Sequence, residues 1–126
     1  MNCFLDCAAK AIGVDTDELE AKLNYSGREV INDCVPPFCY RGYHPYTVNN
    51  LLLTYGYGLI HIPAEYAEHP GVQTKVDIPT IVKDKTAILI DDTHAVLIKD
   101  NELYNSSSKI TITPSTAKHA FLLVKI

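Results

Sequence analysis

No run of this sequence approaches the roughly 20 apolar residues that a membrane helix needs, so a transmembrane span is excluded. No group of Lys and Arg stands out either, and the formal net charge is −4. Neutralising phosphates takes grouped cations, so a dedicated nucleic-acid binder is not expected. The first residues lack the basic start of a signal peptide, and Asp6 and Lys10 interrupt their apolar character. A cytoplasmic protein is expected, with the four cysteines at 3, 7, 34 and 39 reduced. Cys-x-x-Cys is absent, which argues against thioredoxin-type redox chemistry. Tryptophan is absent too, and that excludes nothing. Internal repeats, low-complexity segments and linkers are missing, so residues 1–126 read as one domain. A chain of that length buries a core without help from disulfides or metals.

What is present falls into two halves. Apolar spacing predicts a first helix over about residues 3–12, capped by Asn2 and stopped by Gly13. Asp15 or Thr16 caps a second, "DELEAKL", with Leu19 and Leu23 on one face and Gly27 beyond its end. "GREVIND" reads as a further short helical piece, whereas "CVPPFCYRGYHPY" is too rich in Pro, Gly and aromatics for a regular element. Pro45 suits the first turn of a third helix, "PYTVNNLLLTYG", ending at Gly56. Strands are predicted from there on. "YGLIHI" is the first, followed by a polar loop through residue 77, then "TAILID" and "HAVLIK" around a turn at Asp92. "DN" in "KDNELYNS" signals a hairpin, "KITIT" alternates apolar and polar residues, and "HAFLLVKI" makes a terminal strand. Helices first and strands afterwards predict an α+β fold, with N-terminal helices packed against a C-terminal antiparallel sheet.

Thiol catalysis needs a readily ionised cysteine, a histidine to exchange protons and a group that orients the imidazole. A helix N-terminus supplies partial positive charge, which favours thiolate over thiol. Cys3 occupies that place in the first predicted helix, while Cys7 lies a full turn deeper and reads as core. Among five histidines, His94 is set apart by its place at the start of a β run, just after a turn. The following strand, ending "LYNS", returns beside it and offers Asn105, whose amide oxygen can accept a ring N–H and fix the tautomer.

These residues carry a family resemblance. Cys at an N-terminal helix, His on a strand and Asn on the next strand is an order similar to that of papain-like cysteine peptidases. Within them the chain most resembles the small bacterial and phage group related to the bacteriocin-processing, double-glycine peptidases. The nucleophile segment of that group reads like Cys, three variable residues, small apolar residues, then "iG" and a "vdydeL"-type helix; this chain has "CFLDCAAKAIGVDTDELEAKL". Its histidine segment reads like "gHavvv.dg.iyDs", beside "THAVLIKDNELYNS" here. "PYTVNNLLLTYGYGLIHI" is similar to the group's middle helix and the strand after it. The resemblance covers most of the chain, excepting residues 24–44 and 63–80. It implies a papain-like fold and a thiol hydrolase cleaving a peptide or isopeptide bond in a protein substrate, with Cys3 as nucleophile, His94 as base and Asn105 as orienting residue. No cofactor or metal is implied, and the oligomeric state stays open. Two departures stand out. The related enzymes carry a Gln several residues before the cysteine for the oxyanion hole, whereas Met1 and Asn2 precede Cys3 here. The Asn2 side chain or the Cys3 backbone N–H is left to serve. Asn also replaces the group's commoner Asp at position 105.

Other readings remain open beside this one. The same triad deamidates glutamine or transfers acyl groups, and a papain-like domain without activity can act as an inhibitor or adaptor. Cys3, Cys7, Cys34 and Cys39 permit a four-thiolate zinc site, although structural pairs more often have two intervening residues. His44, His61, His69 and His119 show no metal-ligand spacing. The aromatics and Arg41 of "CYRGYHPY" suit either a substrate cleft or plain loop packing.

Overall fold

A computed structural model describes residues 3–23, 45–69, 71–91, 94–104 and 112–126, which form four helices, a two-stranded hairpin and a five-stranded antiparallel sheet. Helix α1 spans Cys3–Ile12 and buries Phe4, Leu5, Ala8 and Ala9. Gly13, at φ +78°, ends it by sending its N–H back to the Ala9 carbonyl at 2.9 Å. A residue with a Cβ adopts that left-handed backbone only with strain. Helix α2 spans Thr16–Leu23. Between the two expected caps, Asp15 is the one whose carbonyl receives the N–H groups of Glu18 and Leu19. Helix α3 spans Pro45–Leu53 and closes through a tight turn to Gly56, at φ +83°.

The first strand, β1, covers Tyr57–Pro63. The polar loop expected through residue 77 is instead a separate two-stranded hairpin, β2 (Glu65–His69) and β3 (Val72–Lys75), turned by Gly71 at φ +81°. Four- and five-residue strands of mixed polarity leave no apolar alternation to read, which is why the sequence hid them. A short helix, α4 (Ile78–Val82), follows; Asp77 caps it by accepting the Thr80 N–H at 3.3 Å and the Thr80 hydroxyl at 2.7 Å. The remaining strands are β4 (Ala87–Ile90), β5 (Ala95–Lys99), β6 (Glu102–Tyr104) and β7 (His119–Lys125). The hairpin signalled by "DN" joins β5 to β6, with Asp100 at φ 54° and Asn101 at φ 63°. Two consecutive left-handed residues match the twist of the flanking strands. Of the expected strand "KITIT", residues 109–111 lie outside the described residues, and Ile112 and Thr113 are not in a strand. "GREVIND" and "CVPPFCYRGYHPY" also lie outside them, apart from Pro45 and Tyr46 at the start of α3.

The main sheet runs β1-β7-β4-β5-β6, and every pairing in it is antiparallel. One face buries Ile88, Ile90, Ala95, Leu97 and Phe121 against α1, α2 and α3. The opposite face buries Ala87, Leu89, Val96, Ile98 and Ala120 with Ile78 and Val82 of α4 and with Ile112 and Ala117. Strands β4 and β5 are thus covered on both sides, which accounts for their unbroken apolar runs "AILI" and "AVLI". The architecture is α+β, as the order of elements predicts. No described helix is long and apolar enough to cross a membrane.

Candidate active site

Cys3 is the first residue of α1, where the field of the helix is strongest. The apolar stripe that begins at the next residue lays α1 across β5 and β4: Phe4, Leu5, Ala8 and Ala9 share one core with Ile90, Ala95 and Leu97. Phe4 also meets Phe121 of β7 edge to face, with ring centroids 5.3 Å apart. Such a contact adds about 0.5–1.5 kcal/mol beyond its buried area and fixes the approach of the first turn of α1. Cys7 is 8% exposed and belongs to this core, the place expected of it.

His94 stands immediately before β5 and is 4% exposed, the one polar residue among the buried side chains described. Its backbone is fastened to Asp91 in both directions. The His94 N–H donates to Asp91 Oδ1 at 2.9 Å, and the Asp91 N–H donates to the His94 carbonyl at 3.2 Å. A carboxylate therefore receives the N–H where a regular ladder would offer a carbonyl. The pleat begins only at Ala95, which packs under α1. A histidine so held keeps a fixed backbone position. The turn expected at Asp92 falls on residues 92–93, outside the described residues, and the residue seen to fasten His94 is Asp91.

Tyr104 ends β6 opposite Leu97 of β5. Lys10 of α1 sits over its ring, 4.2 Å from the centroid, so α1 is tied to β6 at its far end as well. Desolvation, and after it the hydrogen bond to Glu102, push the Tyr104 phenol up from its ordinary pKa. Helix α1 packs on β5 and β4, and β5 on β6. Asn105, Asn2, Cys34, Cys39 and Arg41 lie outside the described residues.

Two further histidines escaped the sequence reading. His61 of β1 and His119 of β7 are 58 positions apart, yet His61 Nε2 lies 2.7 Å from His119 Nδ1. The β1–β7 register pairs His61 with Phe121 and Pro63 with His119, so the two imidazoles are diagonal neighbours on one face. That is the face of Phe121, against which the His61 ring stacks at 4.8 Å and 11°. Burial holds the His61 imidazole below its ordinary pKa, favouring the neutral ring. No spacing rule finds such a pair, because strand pairing alone creates it. Among the described residues no group of three or more His, Cys, Asp and Glu is arranged to hold a metal ion. Comparison with known proteins found no matching family model, curated protein or solved structure.

Proposed function

We propose that this chain is a small papain-like cysteine hydrolase of the cytoplasm, a peptidase acting on a peptide or isopeptide bond. The observation that carries the reading is the placement of α1. A helix that opens with Cys3 is packed on the strand whose preceding residue is the buried, backbone-anchored His94. The sequence order of Cys3, His94 and Asn105, and the motif similarity around each, support the same assignment.

In this reading the Cys3 thiolate attacks the carbonyl carbon, and the carbonyl electrons move onto oxygen. The protonated His94 gives its proton to the departing amine as the C–N bond breaks, leaving a thioester. Water, deprotonated by His94, then attacks the thioester and returns the thiol. Asn105 orients the imidazole, and amides at the start of α1, with the Asn2 side chain, stabilise the oxyanion. No cofactor takes part. The helix terminus favours the anion on sulfur, which suits Cys3 to attack.

Residue-resolved alkylation at mildly acidic pH tests it. Cys3 is expected to react with iodoacetamide well before Cys7, Cys34 and Cys39, and His94→Ala to erase that advantage. Equal labelling of all four cysteines, or labelling led by Cys39, overturns the assignment. Peptides and glutamine-containing proteins offered to the active enzyme then separate cleavage from deamidation.

A further inference from the structure

We propose that His61 and His119 form a two-imidazole site for a divalent transition-metal ion, of which zinc is the natural probe. The site is independent of the thiol chemistry assigned to Cys3 and His94.

The geometry of the pair supports this in three ways. With Nε2 and Nδ1 only 2.7 Å apart, one nitrogen carries a proton and the other turns its lone pair toward it. Once the donor ring shifts its proton to its other nitrogen, both rings stay neutral and both nitrogens at the gap offer lone pairs to a cation. Zn–N bonds of about 2.0–2.1 Å in a tetrahedral angle require the nitrogens to stand about 3.3 Å apart. The rings must therefore open by roughly 0.6 Å, which small side-chain rotations supply without moving the strands.

The framework is also rigid where it needs to be. Both histidines lie in the β1–β7 ladder, paired from Tyr57↔Lys125 to Pro63↔His119, and His61 is braced flat against Phe121. Two ligands held by adjacent strands lose little freedom on binding. Finally, the state of the rings is right. A metal takes neutral imidazole, and burial favours the neutral form of His61 while both rings remain only partly covered. Entry of an ion from solvent is open to partly covered rings, and water completes the coordination beyond the two nitrogens. Among the described residues the site draws two ligands from the protein. Its preference among ions is set by imidazole chemistry, which places copper above nickel and nickel above cobalt.

Histidine-ring 15N NMR during a titration of the full-length protein with zinc chloride reads the site directly. The expected result is a saturable shift of His61 Nε2 and His119 Nδ1 at one equivalent. Calorimetry should show binding at least 10-fold weaker in His61→Gln and in His119→Gln. Binding that shifts neither ring, or that is unchanged in both variants and disappears in a cysteine-to-serine variant, overturns the proposal. The ring resonances of the unmodified protein decide the matter even where a variant fails to fold.

Discussion

His94 and the His61–His119 pair are held by different means. His94 owes its position to a residue three places away: the Asp91 carboxylate and main chain grip its backbone, and α1 covers the strand that follows. His61 and His119 owe theirs to the meeting of distant strands, to each other and to Phe121. The first arrangement acts on a backbone N–H and carbonyl. The second engages the ring nitrogens themselves. A histidine whose nitrogen is already bonded to another imidazole is poorly suited to shuttle protons to a substrate, and well suited to share a proton or an ion. The two proposals divide the same way, with proton transfer proposed for His94 and ligation for the pair.

The strongest way to break that contrast is to remove each imidazole and follow the thiol chemistry. His94→Ala is expected to lower the rate of acyl transfer by about 10²–10⁴-fold, the usual worth of a positioned proton carrier. His119→Gln should leave it within about threefold. Active-site titration followed by steady-state peptide cleavage measures both. Equal losses in the two variants would dissolve the division of labour.

Phe121 links the two regions, since it meets Phe4 of α1 on one side and His61 on the other. Phe121→Ala should destabilise the protein by about 3–5 kcal/mol, the range for truncating a fully buried aromatic. Urea denaturation checks this, and a cost under about 1 kcal/mol would mean that the two regions are not coupled through the ring. A smaller effect is expected at Asp91. Asp91→Asn keeps an acceptor at Oδ1 and should retain most activity, whereas Asp91→Ala leaves the His94 N–H without it. A net hydrogen bond to a charged group is worth about 1.5–3 kcal/mol, so cleavage by Asp91→Ala should fall by about tenfold or more. Because Asp91 acts through His94, its loss should flatten the dependence of Cys3 alkylation on pH, and Asn at 91 should restore it.

The same contrast explains what the sequence could disclose. Gly13, Pro45, the "DN" turn and the runs "AILI" and "AVLI" act on their immediate neighbours, so each marked its element correctly. The place of His94 belongs with them, because the strand it precedes follows it directly in the chain. The hairpin β2–β3 and helix α4 were missed: their strands lack alternation, and α4 is a five-residue helix held by its cap and by burial of Ile78 and Val82. His61 and His119 were invisible for another reason. Their meeting depends on β7 inserting between β1 and β4, a choice made by the whole sheet. Local structure is legible in a sequence, and a pair assembled by strand order is not.

The smallest expected effect sharpens the contrast through pH. Burial lowers the pKa of His61 in the folded protein below the value of about 6.5 that it has in an unfolded chain. In the window between those two values the unfolded chain binds a proton that the folded one refuses, so stability rises with pH there. The contribution of His61 is complete above about pH 6.5 and is lost as pH falls through its folded value. Protonation of both rings would also set two cations 2.7 Å apart, which adds to the loss. Urea midpoints measured from pH 7.5 down to pH 5 stay above most carboxylate titrations and so isolate the histidines. A gentle decline is expected in the unmodified protein, and a shallower one in His61→Gln, where the titrating ring is gone. If the two slopes coincide, the His61 ring is not held neutral by its surroundings, and the pair loses the property that fits it to bind an ion.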